Sequence, residues 1–186
     1  MVELSPNLSG EWRFDPSHTR IGFSTRHAMV TKVRGAFNDI EGIIHADAEN
    51  PLNSSVKVTI KVASIDTRNA QRDEHLRTND FFDAPNFPEI TFVSTRIDQI
   101  EEGNFIVSGN LTIRGITQEI SLPIEFLGVE KDAYGQLRAG FEGSRRIDRQ
   151  QFGVKWNTAL DSGGVLVSDK ITLEFEVSAV KVEAAS

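Results

Sequence analysis

The chain has 186 residues, 39% of them hydrophobic, no cysteine, and 27 acidic against 20 basic side chains for a net charge of −7. That balance argues against nucleic acid or an anionic membrane as a partner of the whole molecule. The absence of cysteine excludes disulfides, thiol catalysis and Cys-ligated metals.

The length fits one domain spanning 1–186, with its core at about residues 11–180. The opening "MVELSPNLSGEW" has neither the basic flank nor the apolar run of a signal peptide. No stretch approaches the ~20 apolar residues of a spanning helix. The expectation is a cytoplasmic protein with no stable membrane insertion.

In chain order, a short strand at 11–14 ends at Asp15-Pro16. Eight longer strands follow at 19–27, 33–46, 54–64, 89–97, 104–113, 116–129, 136–146 and 169–180. Their period is two. "SSVKVTIKVAS" places Val56, Val58, Ile60 and Val62 opposite Lys57, Thr59 and Lys61. "KITLEFEVSAV" separates Ile171, Leu173, Phe175 and Val177 from Thr172, Glu174, Glu176 and Ser178 in the same way. In "ITQEISLPIEFLG", Pro123 falls on the polar register, which predicts an edge or bulge there. "NPLN", "EEGN", "RG" and "AYGQ" supply turns. One apolar and one polar face, in about eight long antiparallel strands, means a sandwich or a closed barrel with the apolar face inward. A strand of ~12 residues is roughly 40 Å long, giving a barrel of roughly 30 Å along its axis at a tilt near 40°. Pattern alone leaves a filled core and a hollow one equally open.

Two links are long: 65–88 and 147–168. Antiparallel order brings both to one mouth, and loops of this length in a compact domain are usually lids or binding loops. The segments expected at that mouth sum to +3, and those at the other end to −6. A basic rim suits an anionic head group; equally, its arginines can pair with the neighbouring acids and pin the loops. The first long link is weakly helical, with Asn69 or Thr67 as cap and Asp73–Arg77 as an i,i+4 pair. Asn79 then caps a second turn that Pro85 stops. Phe81, Phe82 and Phe87 are expected to fold inward and line or plug the mouth.

The four histidines, His18, His27, His45 and His75, show neither HxH nor HExxH spacing, so no metal site is expected. His75 lies beside Asp73 and Glu74, but neighbours on a helix diverge, so the triplet is not an acid–base constellation. No GxSxG nucleophile motif is present.

Five stretches carry a resemblance: "WRFDPSHTRIGFSTRH", "VRGAFNDIEGII", "IDTRNAQRDEHLRTNDFFDAPNFPEITF", "GNLTIRGITQEISLPIEF" and "RIDRQQFGV". In this order, from about Trp12 to about Val180, the chain resembles the YceI-like family of polyisoprenoid-binding, lipocalin-like proteins. The motif positions are Asp66, Asn69, Arg72, Asp73, His75, Leu76, Arg77, Asp80, Phe81 and Phe82, with Arg149, Phe152 and Gly153 from the second loop. The resemblance implies an all-β fold: an extended eight-stranded antiparallel barrel, with a short helical lid between strands three and four. Its apolar pore would hold a long isoprenoid chain or another long apolar or amphiphilic molecule, without catalysis. Some members pair as homodimers.

The pore residues expected to hold the ligand are Phe23, Val58, Ile60, Phe81, Phe82, Phe92, Val107, Leu111, Leu122, Ile124, Phe141, Phe152, Trp156, Leu173 and Phe175. Arg72, His75, Arg145 and Arg149 are the expected polar mouth. Arg149 is expected to pair with Asp66 or Asp73 and lock the loops together, and "DSGGVLVSD" to form a flap. No cofactor is expected beyond an isoprenoid lipid or quinone as ligand. The alternatives are a filled barrel that binds a stress or protein partner, and a hydrolytic enzyme using His75.

Overall fold

The computed structural model describes residues 6–160 and 166–183. Its elements are β1 (Gly10–Phe14), β2 (Arg20–His27), β3 (Thr31–Phe37), β4 (Ile40–Ala46), β5 (Ser55–Lys61), β6 (Ile65–Asp66), α1 (Ala70–Arg77), β7 (Glu89–Glu101), β8 (Asn104–Ile113), β9 (Ile116–Lys131), β10 (Leu137–Asp148) and β11 (Lys170–Lys181).

The strands pair in the order β1-β4-β5-β7-β8-β9-β10-β11-β2-β3-β6, and a β1–β11 pairing closes the sheet. Eleven segments make eight staves because three staves are broken. β1 runs beside Ala179–Lys181 of β11 and β2 beside Thr172–Glu176, so the two are halves of one stave. The expected single strand 33–46 divides into β3 and β4 at Asn38-Asp39. The expected 54–64 is strand only to Lys61; a 3-10 turn at Val62–Ser64 follows, and β6 resumes the stave at Ile65–Asp66, within the expected long link. These two breaks lie side by side: Lys61 N donates to Asp39 O at 2.9 Å and Asn38 N to Ser64 O at 3.2 Å. Neighbouring staves therefore bend together without losing backbone partners, which satisfies the demand that buried peptide groups stay paired.

Alternation decides the core. Buried Val58, Ile60, Ile90, Phe92, Val107 and Leu111 come from the inward registers of β5, β7 and β8. A second cluster fills the end away from the long loops, around Trp12, Leu8, Ile44, Ala139 and Ala179. Trp12 is fully buried, and its indole N–H donates to Leu8 O at 2.7 Å, which satisfies its one polar atom. Gly42 is required by the same packing: a Cβ there would lie 2.4 Å from the Phe14 ring.

One ladder is incomplete. β9 begins at Ile116 and β10 runs to Asp148, yet their pairing stops at Gly143↔Ile124. Pro123, the predicted edge residue, is the next position on β9. It pairs with Ile106 of β8 on one side and has no ladder partner on the other among the described residues. A proline lacks the N–H that would extend that ladder.

Candidate functional site

The inward faces enclose a cavity of about 280 Å³. It reaches from Leu8, Asp47 and Pro51 at one end to Leu76, Phe81, Phe152 and Val154 beneath the long loops. Along the β3–β4 stave its lining runs from Phe37 to Ala46, roughly 30 Å of extended chain. At barrel tilt that is on the order of 20 Å along the axis, so the cavity is a narrow tunnel. Its volume lies near the lower end of the range of roughly 300–1,000 Å³ seen for small-molecule pockets. The walls are almost wholly apolar; Thr25, Asp47, Ser54 and Arg149 are the polar side chains beside them. The fully filled barrel is therefore not what this sequence builds.

Of the expected pore residues, Phe23, Val58, Ile60, Phe81, Phe82, Phe92, Val107, Leu111, Leu122, Ile124, Phe141, Phe152, Leu173 and Phe175 line the tunnel. Trp156 does not. It stands behind the lid, 4.9 Å from the His75 ring and 5.2 Å from Phe81. Phe87, expected to turn inward, instead lies against Gly115, whose added Cβ would come within 2.7 Å of its ring. The signal separating Phe87 from Phe81 and Phe82 is Gly115 in the β8–β9 turn, a contact distant in sequence.

The lid is built from its own polar residues. Asn69 caps α1 by accepting from Arg72 N at 3.0 Å. Asp73 does not pair with Arg77. It is buried and accepts from the Thr67 N–H at 2.8 Å and from the Thr67 hydroxyl. Thr67 Oγ1 in turn accepts from Arg72 Nε at 2.8 Å, and Thr67 O from Arg72 Nη2 at 2.6 Å. The carboxylate is thus held inside the loop it shapes. Arg77 reaches the carbonyls of Ala63 at 3.0 Å and Ile65 at 3.4 Å, with Glu74 at 3.3 Å. Arg114 donates to the carbonyls of Asn79 and Phe81, each at 2.7 Å. It thereby fixes Phe81 over the tunnel.

The second loop uses the same device. Arg149 is 5% exposed and donates to Val154 O at 2.7 Å, Ser168 O at 2.9 Å and Val167 O at 3.3 Å. Burial lowers its pKa. Its nearest carboxylate is Asp169 at 3.5 Å, not Asp66 or Asp73, which are engaged within the first loop. The expected ion-pair lock between the loops is replaced by arginines on main-chain carbonyls. The reason is stoichiometric: irregular loops leave many carbonyls without ladder partners, and a guanidinium offers five donors in a rigid fork. Residues 161–165 of the expected flap lie outside the described residues.

Of the expected polar mouth, Arg72 and Arg149 are thus occupied by loop carbonyls. His75 Nε2 sits 2.8 Å from Asp80 Oδ2, with its ring packed edge-on to Phe81 and Trp156. It does not line the tunnel. Arg145 is exposed on β10 and has no ion pair or hydrogen-bond partner among the described residues. No three His, Cys, Asp or Glu side chains among the described residues converge on a metal-sized site. No described helix is long and apolar enough to cross a membrane.

A closed eight-stranded antiparallel barrel with an apolar tunnel and a short helical lid is a lipocalin-like fold. The chain belongs to the YceI-like domain family, whose signature matches residues 12–179. It is 38% identical over 157 residues to the UPF0312 protein plu2095 of Photorhabdus laumondii, covering 83% of this chain and 81% of that one. A Campylobacter jejuni YceI protein superposes with a TM-score of 0.72 at 33% identity, covering 85% of this chain and 90% of the other. A polyisoprenoid binding domain from Saccharophagus degradans superposes with a TM-score of 0.70 at 12% identity, covering 92% and 98%, a likeness of fold.

Proposed function

We propose that this protein binds one long-chain apolar or amphiphilic molecule, an isoprenoid or quinone-like lipid, with its chain threaded in the barrel. The observation that carries this reading is the tunnel itself: narrow, continuous from lid to far end, and walled by apolar side chains. Such a cavity recognises length and apolarity. Each methylene moved into it from water contributes about 0.8 kcal/mol before the costs of association. The Saccharophagus degradans neighbour, a polyisoprenoid binding domain of the same fold, points to the same chemistry.

The role that follows is that of a carrier, store or sensor. The lid side chains are committed to one another, and His75 is turned to Asp80 and two aromatic rings. These contacts serve closure rather than reaction.

The test is organic extraction of protein purified without detergent, followed by mass spectrometry. The wild type is expected to release a long-chain lipid, and Leu111→Trp, which fills the tunnel, to release none. Equal amounts of the same lipid from both proteins would place it outside the barrel and refute the reading.

A further inference from the structure

The incomplete β9–β10 ladder has a consequence for where a ligand enters and where its head rests. Below Gly143↔Ile124 the two strands are joined; towards the lid they are not. The far limit of the opening is set by the second loop, where Gln118 Nε2 donates to Gln151 O at 3.1 Å. Between these limits β9 and β10 have no ladder pairing among the described residues, a slot in the hydrogen-bonded wall.

Exposure rises at some inward positions near the slot. Inward-facing Ile120 and Ile124 of β9, and Leu173 and Phe175 of β11 behind β10, are only half-buried, while Leu122 and Ile147 beside the slot are each 8% exposed. Across the barrel, Val58 and Phe92 are 8% and 7% exposed. Solvent therefore reaches the tunnel wall from the β9–β11 side.

Arg145 stands on the lip of this slot. Its Cα partner is Leu173, and Ile147 two residues on pairs with Ile171; all three partners line the tunnel. Directly opposed residues, and residues two apart on a strand, share a face of the sheet. Arg145 thus occupies an inward register in an apolar barrel, yet it is exposed and unpaired among the described residues. The unpaired β9–β10 edge beside it offers such a guanidinium a way out of the apolar interior. This sets it apart from Arg72, Arg77, Arg114 and Arg149, whose donors are taken by loop carbonyls.

We propose that the slot between β9 and β10 is the entry to the tunnel, and that Arg145 binds the anionic head, a phosphate or carboxylate, of the amphiphile whose chain lies inside. The proposal rests on the tunnel-binding reading above. It moves the head group from the lid mouth to the side of the barrel. A planar fork of donors beside an apolar channel suits a singly or doubly charged oxyanion on a long chain.

The test is titration of the full-length protein with farnesyl phosphate and with farnesol, which share one chain and differ in head group. Hexadecanoate and hexadecanol form the parallel pair for a carboxylate head. The proteins are the wild type, Arg145→Gln, Arg145→Glu and Arg34→Gln. Arg34 is an exposed cation of β3 at the lid end. Arg145→Gln is expected to weaken the anionic probes roughly tenfold to hundredfold, the range for losing a charge-assisted hydrogen bond. It is expected to leave the alcohols within twofold, and Arg145→Glu to weaken the anions further. Arg34→Gln should change neither. Alcohols and anions weakened alike by Arg145→Gln, neither weakened, or loss with Arg34→Gln alone would overturn the head-group site while leaving the tunnel reading intact. Failure of the wild type to bind any of the probes would overturn both.

Discussion

Replacing Arg149 by Met tests whether the arginines of the long loops are structural pins. The side chain is 5% exposed and its guanidinium holds three main-chain carbonyls, those of Val154, Val167 and Ser168. Methionine fills much of the same volume, so little of the effect comes from a cavity. What is lost is a set of hydrogen bonds from a charged donor, each contributing about 1.5–3 kcal/mol. The carbonyls freed are partly buried and regain water only in part. Against this stands the desolvation of the guanidinium, a cost the variant no longer carries. The balance is a loss of about 3–5 kcal/mol, because three partly buried carbonyls are left without a donor, each costing about 1–3 kcal/mol. For a domain of this size that corresponds to a fall in Tm of roughly 6–20 °C. Urea denaturation followed by tryptophan fluorescence measures it. A loss below about 1 kcal/mol would show that these bonds do not hold the loop and would refute the pinning argument. Arg145→Gln, with no partner to lose among the described residues, should stay within about 0.5 kcal/mol of wild type.

Other outcomes follow from particular contacts. Gly42→Ala drives a methyl into the Phe14 ring and should cost about 1–3 kcal/mol; adding Phe14→Leu should restore part of it in the same urea assay. Trp12→Ala empties the end cluster and leaves Leu8 O without its donor, a loss of about 3–5 kcal/mol readable in a thermal melt. Asp15 is held well below the usual carboxylate range by its bonds to Ser17, Arg138 and His18. Because the folded value is depressed, its contribution is complete above the unfolded pKa of about 3.9 and is lost as pH falls from there towards the folded value. The stability gap between wild type and Asp15→Asn should therefore close as pH falls below about 4; a gap as large at pH 2.5 as at pH 5 would contradict this. Glu142 lies directly opposite both Glu125 and Glu176, so Glu142→Gln should stabilise by about 0.2–1 kcal/mol, less in high salt.

Local chemistry made much of this fold legible. The alternation in "SSVKVTIKVAS" predicts the inward face of β5, and the long links predict one covered mouth. Phe81 and Phe82 read correctly because aromatics in a polar loop need an apolar sink, but the same rule sent Phe87 inward, where Gly115 takes it instead. The breaks at Asn38-Asp39 and Val62–Ser64 were not legible: each exists only because the neighbouring stave bends at the same height. Nor were the arginine partners. Sequence offers acids beside the arginines of the long loops, but the acceptors used are mostly carbonyls whose availability depends on loop path. The slot was half-visible, since Pro123 marks an edge but does not say which side stays unpaired. Whether the barrel is hollow depends on how side chains from opposite walls meet, and no periodicity records that distance.

A tunnel that holds one long apolar chain is a saturable site. Delipidated protein titrated with prenyl alcohols of increasing length measures it directly, with fluorescence of Trp156 beside the lid as signal. One molecule should bind per chain, with affinity rising as isoprene units are added until the tunnel is full and then levelling off. Folded protein that binds none of the series, or whose affinity ignores chain length, would contradict it.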